Sequence, residues 1–291
     1  MLKYNNTTIM LFGENKVKDK KFNYKKNDSY KKNDSYRNRD NGFNEEKEDN
    51  GIVVGRNAVR ELLKSDRAVD KIYVRKGDRE GSITVLIAEA ANKNIPIIEA
   101  EPQKLDNLAE GANHQGIVAL ASMKEYSSID DMLALANERN EKPLIVICDS
   151  IEDPHNLGAI IRCAECAGAH GIVIPKRRSV GITPTVYKSS AGAIEHMLIA
   201  KVSNLNSTVE ELKEKGLWIY SAEAGGTPYY ETDFNCGCGI ILGSEGNGVS
   251  RLLKENSDFI VSIPMYGKVN SLNVSTAASV ILCHAARIQR S

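Results

Sequence analysis

Three short segments carry residue types and spacings that could do chemistry. The first is Asp149-Ser-Ile-Glu-Asp-Pro-His-Asn156-Leu-Gly158, with Arg162 one helical turn beyond its last glycine. Asn156 is placed to cap a helix. Arg162 lies among apolar and small residues, so it either pairs with an acid or aims a guanidinium at a phosphate or a polarised hydroxyl. The second segment is Ile240-Ile-Leu-Gly243-Ser-Glu245-Gly-Asn-Gly248. Its three glycines after an apolar run imply close backbone approach or positive φ. The pattern is neither G-x-G-x-x-G nor G-x-x-x-x-G-K-S/T, so a dinucleotide or P-loop site has no support. Glu245, in so open a turn, caps the next helix or binds substrate. The third segment is Ile263-Pro-Met-Tyr-Gly-Lys-Val-Asn-Ser271-Leu-Asn273-Val-Ser275, a polar loop feeding an apolar helix that Asn273 and Ser275 could cap. Each segment alone is a weak signal.

The elements that must position these segments form an α/β alternation over residues 143–291. Short apolar runs at 144–148, 171–174, 199–202, 217–220, 239–242 and 259–263 read as six strands. Their unbroken apolar character fits a parallel sheet covered on both faces. Helices are expected at 157–167, closed by Gly168, and at 272–287. Each chemical segment follows a strand, at the carboxyl end where open α/β sheets bind ligands. Residues 51–123 predict a smaller α/β unit, with helices around 59–63 and 83–92 and strands at 71–74, 95–98 and 116–121. Its basic residues Arg56, Arg60, Lys64, Arg67, Lys71, Arg75, Lys76 and Arg79 form a solvated face or an RNA-contacting one. Residues 124–142 read as a polar linker with one short helix.

Composition excludes several classes. Formal net charge is zero over 291 residues, so any nucleic-acid contact must come from local patches. Residues 1–50 hold 12 Lys and Arg against 9 Asp and Glu, and duplicate Lys-Lys-Asn-Asp-Ser-Tyr at 25–30 and 31–36. So few aliphatics cannot offset ordering entropy, and this tail is expected to be disordered. No run approaches a membrane span, and no signal-peptide pattern opens the chain. Six scattered cysteines suit a reducing cytoplasm.

Taken together and in this order, the segments resemble the SpoU branch of the SPOUT RNA methyltransferases. The resemblance rests on Asn156-Leu-Gly-x-x-x-Arg162, on Leu242-Gly-x-Glu-Gly-x-Gly248, and on Ser262-Ile-Pro-Met265 with Ser271-Leu-Asn-Val-Ser275. Gly55-Arg-Asn-Ala-Val59 and His114-Gln-Gly-Ile117 look like the substrate-binding domain that precedes the catalytic one. Asp153-Pro-His-Asn-Leu-Gly158, Pro175-Lys-Arg-Arg178 and Ser189-Ser-Ala-Gly-Ala-Ile-Glu-His196 look like the subgroup that 2′-O-methylates a guanosine of large-subunit ribosomal RNA.

The resemblance implies a deep trefoil knot in 143–291, a homodimer, and S-adenosylmethionine as methyl donor. It places Leu242, Gly243, Ile263, Met265, Leu272 and Asn273 at the cofactor, and Arg162 with Asn156, Glu245, Ser271 and Asn273 at the reaction. An arginine is a poor base in water, so Arg162 is expected to hold substrate and lower the hydroxyl pKa. Lys176, Arg177, Arg178, Lys188 and Arg56 are candidate RNA contacts, each with a solvated-surface alternative. The competing readings are a transfer-RNA methylase of the same branch and a non-catalytic ribosome-assembly protein. A zinc site from Cys163-x-x-Cys166, His170 and Cys236-x-Cys238 is disfavoured, because the first pair lies inside a helix and paired-knuckle spacing is absent.

Overall fold

The computed structural model describes residues 51–77 and 81–291. The expectations for the tail and for Arg79 lie outside the described residues. The smaller sheet is built by β1 (Ile52–Val54), α1 (Arg56–Lys64), β2 (Val69–Arg75), α2 (Ser82–Asn92), β3 (Ile97–Ala100), α3 (Pro102–Leu108) and β4 (Ile117–Ala121). Its strand order is β1-β4-β2-β3, antiparallel except for the parallel β2–β3 pair. Ala58, Val59, Leu62 and Leu63 of α1 are buried, an apolar stripe of helical period laid on the sheet. The three-residue β1 and seven-residue α3 are too short to show a period, and the sequence pattern missed both. β3 starts two residues later than the expected 95–98. The Ile95 N–H still bonds back to the Ala90 carbonyl at the end of α2, and pairing begins at the Pro96 carbonyl.

The larger unit continues with α4 (Ile129–Glu138), β5 (Leu144–Cys148), α5 (Pro154–Ala167), β6 (Gly171–Pro175), α6 (Pro184–Ser189), β7 (Ile199–Val202), α7 (Leu205–Glu214), β8 (Trp218–Pro228), β9 (Cys238–Leu242), α8 (Arg251–Asn256), β10 (Phe259–Ser262) and α9 (Val274–Gln289). Six strands in the order β10-β8-β9-β5-β6-β7 pair in parallel throughout. Successive residues of β5 enter opposite cores, as the strand period of two requires. Leu144, Val146 and Cys148 pack with α5 and α9. Ile145 and Ile147 pack with α4, α7 and α8. The stretch expected as a polar linker therefore contributes a packed layer, since Ile129 and Met132 of α4 belong to that second core. A reciprocal capping box between Ser128 and Asp131 starts this helix.

Two local departures shape the site. The cap of α5 is Asp153, not Asn156: Pro154 opens the helix and the Asp153 carboxylate accepts the His155 N–H at 2.9 Å. Proline suits that first position because no intrahelical partner is lost there. Asn156 thus sits inside the first turn, where its amide is free for other work. The second departure is β8, which runs past the expected end at 220. Ile260 pairs with Ser221, but Val261 pairs with Thr227, so residues 222–226 are left out of the pairing with β10 and form an excursion toward the sheet end, while Ala222 still pairs with Leu242 of β9.

The two sheets meet across α6 and the turn at Ala193–His196. Arg67 donates through Nη1 to the Tyr187 hydroxyl at 2.6 Å and to Glu195 Oε1 at 3.0 Å. Its guanidinium also lies over the Tyr187 ring. The side chains of this pair are only 8% and 1% exposed. Burial pushes the Glu195 carboxyl up, against the opposing pull of Arg67 and Lys124. Removing one partner of a buried pair typically costs about 3–5 kcal/mol, because the remaining charge stays desolvated. Arg67→Met is therefore expected to lower the unfolding free energy by about that amount. A carboxyl whose folded pKa is raised favours the folded state most when protonated. The loss should therefore be smaller at acid pH than at pH 8, as read by urea unfolding across pH.

Candidate active site

β5 is the point where strand order reverses, with β6 and β7 on one side and β9, β8 and β10 on the other. Loops leaving β5 and β9 diverge there and open a crevice, the usual ligand position in such sheets. Asp149 ties the two loops together. Its N–H donates to the Leu242 carbonyl at 2.8 Å, and its carboxylate accepts the Ser250 N–H at 2.7 Å.

Beside this tie lies a cavity of about 530 Å³ walled by the β9 loop, the β8 excursion, the loop after β10 and the start of α9. Leu242, Val261, Ile263, Leu272 and Ile281 supply an apolar wall, while Glu223, Ser244, Glu245 and Asn270 supply polar groups. Gly243 is required by close approach: a Cβ there would lie 2.1–2.3 Å from the backbone of Gly248 and Val249. Glu223 holds the far end of the loop, accepting the Val249 N–H at 3.1 Å while facing Lys254 at 3.5 Å. A second cavity of about 350 Å³ adjoins the first and shares Ser244, Glu245, Asn247 and Val274 with it.

Glu245 stands where the two cavities meet. Its Oε1 accepts the Asn156 amide at 3.1 Å and the Asn273 amide as well. The Asn273 Nδ2 also donates to Asn156 Oδ1 at 3.0 Å. Asn273 caps α9 at the same time, since its Oδ1 accepts the Ser275 N–H at 2.9 Å. That cap leaves only the NH₂ end of the amide for its neighbours. One carboxylate is thus fixed by two amides from two helices, with its second oxygen unengaged by them.

The structure brings most of the expected site residues together. Leu242, Gly243, Glu245, Ile263, Met265, Ser271 and Leu272 line the larger cavity. Asn156 lines the second, and Asn273 reaches both cavities' shared edge through Glu245. Arg162 lines neither cavity. It is six residues from Asn156 on α5, which is roughly 240° around the axis and about 9 Å along it. It is exposed and, among the described residues, makes no hydrogen bond or ion pair. Arg178 lines the second cavity, whereas Lys176 and Arg177 are exposed outside both. Lys188 is half-buried on α6. Arg56 packs as a clamp within the smaller unit, donating to the Gln115 carbonyl at 2.9 Å and the Ser82 hydroxyl at 3.3 Å. The sequence pattern missed Glu223, because it ended β8 too early. No group of three or more His, Cys, Asp or Glu side chains that could hold a metal occurs among the described residues.

Comparison with known proteins agrees with this geometry. The family model for the SpoU rRNA methylase family matches residues 143–283. The model described as RNA 2′-O ribose methyltransferase substrate binding matches residues 52–127. YacO of Bacillus subtilis, which bears the designation TrmH family tRNA/rRNA methyltransferase, is 45% identical over 236 residues, 81% of this chain and 94% of that protein. A TrmH family tRNA/rRNA methyltransferase designation is also carried by a Staphylococcus haemolyticus protein, 43% identical over 79% of this chain and 93% of its own length. The SpoU methyltransferase AviRb from Streptomyces viridochromogenes, solved with AdoMet, shares the fold at a TM-score of 0.67 and 23% identity, over 81% of this chain and 89% of that one. The chain belongs to the SpoU/TrmH family of RNA methyltransferases, which transfer methyl groups from S-adenosylmethionine to ribose 2′-oxygens. A cavity of about 530 Å³ with apolar walls, carboxylates and exposed loop amides fits that cofactor, being within the usual range of roughly 300–1,000 Å³ for ligand sites.

The Asn156–Glu245–Asn273 bridge can be separated from the helix cap. Asn273→Ala removes both and should cost about 1 kcal/mol of stability. Asn273→Ser keeps a capping oxygen but loses the amide donor, so thermal unfolding should stay near the parent. Turnover of Asn273→Ser is still expected to fall about tenfold or more, as for loss of a hydrogen bond to a charged group. Full turnover in that variant would show that the bridge matters only for folding.

Proposed function

We propose that this enzyme methylates the ribose 2′-hydroxyl of a guanosine in large-subunit (23S) ribosomal RNA, acting as a homodimer. The observation that carries the reading is Glu245, a carboxylate immobilised at the seam of a donor-sized cavity and a smaller second one. S-adenosylmethionine supplies an electrophilic methyl group at the sulfonium. A neutral hydroxyl is a poor nucleophile, so the protein must hold it in line and take up its proton as the new C–O bond forms. The Glu245 oxygen left free by the two amides can accept that hydrogen. Ser271 lines the donor side of the seam and can orient the ribose.

Arg162 fits this scheme through a second copy of the chain. It stands on an exposed helix face where α5 and α9 present small or short side chains, including Ala159, Cys166, Thr276 and Cys283. Apolar residues of the loop beside the donor cavity are also left open, with Tyr266 90%, Val269 73% and Leu272 40% exposed. Exposed apolar clusters mark interaction surfaces. A partner laid on this face covers the loop and carries its own Arg162 toward the neighbouring site, where a guanidinium can hold the target phosphate and favour the alkoxide. Family membership further supports a deep trefoil knot in the segments after β9 and β10, an exception to the usual unthreaded topology. Lys176, Arg177 and Lys188 are then phosphate contacts for RNA entering from β6.

Arg162→Ala is expected to abolish methyl transfer to a 23S transcript while leaving S-adenosylmethionine affinity within a few-fold by calorimetry. Near-parental turnover would remove Arg162 from the mechanism. Sedimentation should give about twice 32.0 kDa, and a fully active monomer at micromolar concentration would refute the shared site. Mapping 2′-O-methyl groups in a strain lacking the gene tests the substrate: loss of one 23S guanosine modification supports the reading, whereas loss from transfer RNA moves the enzyme to the other branch.

A further inference from the structure

The geometry points to the second cavity as the pocket that receives the acceptor nucleoside, with Glu152 and Arg178 reading its base and guanine as the base read. This rests on the proposed methyl transfer and assigns it a specificity site. Enzymes that modify a nucleotide draw it out of its stack into a fitted pocket. At about 350 Å³, the cavity lies at the small end of ligand sites, suited to one nucleoside and too small for a stretch of strand. Because Ser244, Glu245, Asn247 and Val274 line both cavities, a ribose at the seam lies next to the methyl donor. Its base then extends toward Ser150, Glu152 and Arg178.

Most polar groups of that pocket are already engaged. Asp153 caps α5, Ser150 donates to Asp149, and Asn156 and Glu245 hold each other. The side chains of Glu152, Arg178 and Asn247 make no hydrogen bond or ion pair among the described residues. Arg178 is held at φ +57° and Ser150 at φ +58°, backbone states that residues with a Cβ adopt at a cost and that cluster at functional sites. An acceptor-only carboxylate and a donor-only guanidinium therefore share one small pocket. Guanine answers both: its N1–H and N2–H donors lie side by side, and O6 and N7 accept on the adjoining edge. Adenine, cytosine and uracil lack that adjacent pair of donors. Arg178 is thereby distinguished from Lys176 and Arg177, which follow the same strand but line neither cavity.

The test titrates the full-length protein, saturated with S-adenosylhomocysteine, with the 5′-monophosphates of guanosine, adenosine, cytidine, uridine and inosine, followed by NMR. Guanosine monophosphate should bind about tenfold more tightly than the others, inosine monophosphate included because it lacks the 2-amino group. Glu152→Gln and Arg178→Ala should each erase that preference while leaving S-adenosylhomocysteine affinity unchanged. On a 23S transcript, Arg178→Ala should lower kcat and keep the salt slope of RNA binding, whereas Lys176→Ala with Arg177→Ala should flatten the slope. No binding of guanosine monophosphate, equal binding of all five, or a preference that survives both substitutions overturns the assignment. Guanosine selectivity without ribosomal RNA methylation would instead leave the pocket standing and overturn the substrate reading above.

Discussion

A single buried carboxylate fixes the geometry of the crevice at the carboxyl end of the larger sheet. Asp149 follows β5, the strand at which the sheet changes direction, and joins the two diverging loops through one donated and one accepted hydrogen bond, while the Ser150 hydroxyl donates to its other oxygen. At 6% exposure it can afford that position only because its oxygens are matched by donors. The Val249 N–H, one residue before Ser250, is accepted by Glu223, so two carboxylates from separate segments hold the return of the β9 loop into α8. The glycines of that loop make the fold possible and also make it pliable. Asp149, bonded at Leu242 and at Ser250, and Glu223, bonded at Val249, therefore supply the rigidity that glycine does not.

On that frame, the placement of Glu245 follows from helix termini. Asn273 must present its oxygen to the open N–H groups of α9, so its nitrogen faces the crevice. Asn156, displaced from the cap by Pro154, presents its own amide from the first turn of α5. Both donors meet on one carboxylate oxygen. The packing of α5 onto α6 sets their separation: at Gly158 any Cβ would lie 1.9 Å from the Ser189 hydroxyl oxygen and 2.9 Å from the Ser190 nitrogen. The motif Asn-Leu-Gly thus couples a polar function at its first residue to a packing requirement at its third.

Much of this was legible in the residue order. Six apolar runs and three polar loops foretold a parallel sheet with the polar loops gathered at its carboxyl end, because period and length are local properties. The identity of the α5 cap was not, since Asp153 and Asn156 are both competent and only the Pro154 ring settles the choice. β8 was cut short because its excursion at 222–226 carries Gly225 and Gly226, which read as a strand end. That cost the recognition of Glu223. The helix in the supposed linker was legible as a helix, but its burial depends on Met132 meeting Gly171, a contact 39 residues away in sequence. Arg162 shows the limit of a family motif: the sequence named it, and the structure of one chain leaves it on an outer face.

The join between the two sheets then acquires a mechanical meaning. An RNA held by the smaller unit presents its target usefully only if that unit keeps a fixed position relative to the crevice. Arg67 and Glu195 lock that position with a buried ion pair, and His196 adds a bond to Glu61 of α1 at 3.1 Å. Gly192 leaves no room for looseness, because a Cβ would lie 2.6 Å from the Glu61 side chain. Buried ion pairs contribute little net stability compared with apolar packing, and one attested use is to fix register. Apolar contacts between α6 and β1 would hold the units together in several nearby orientations. The directional hydrogen bonds of Arg67 select one, and with it the distance from the RNA-holding face to Glu245.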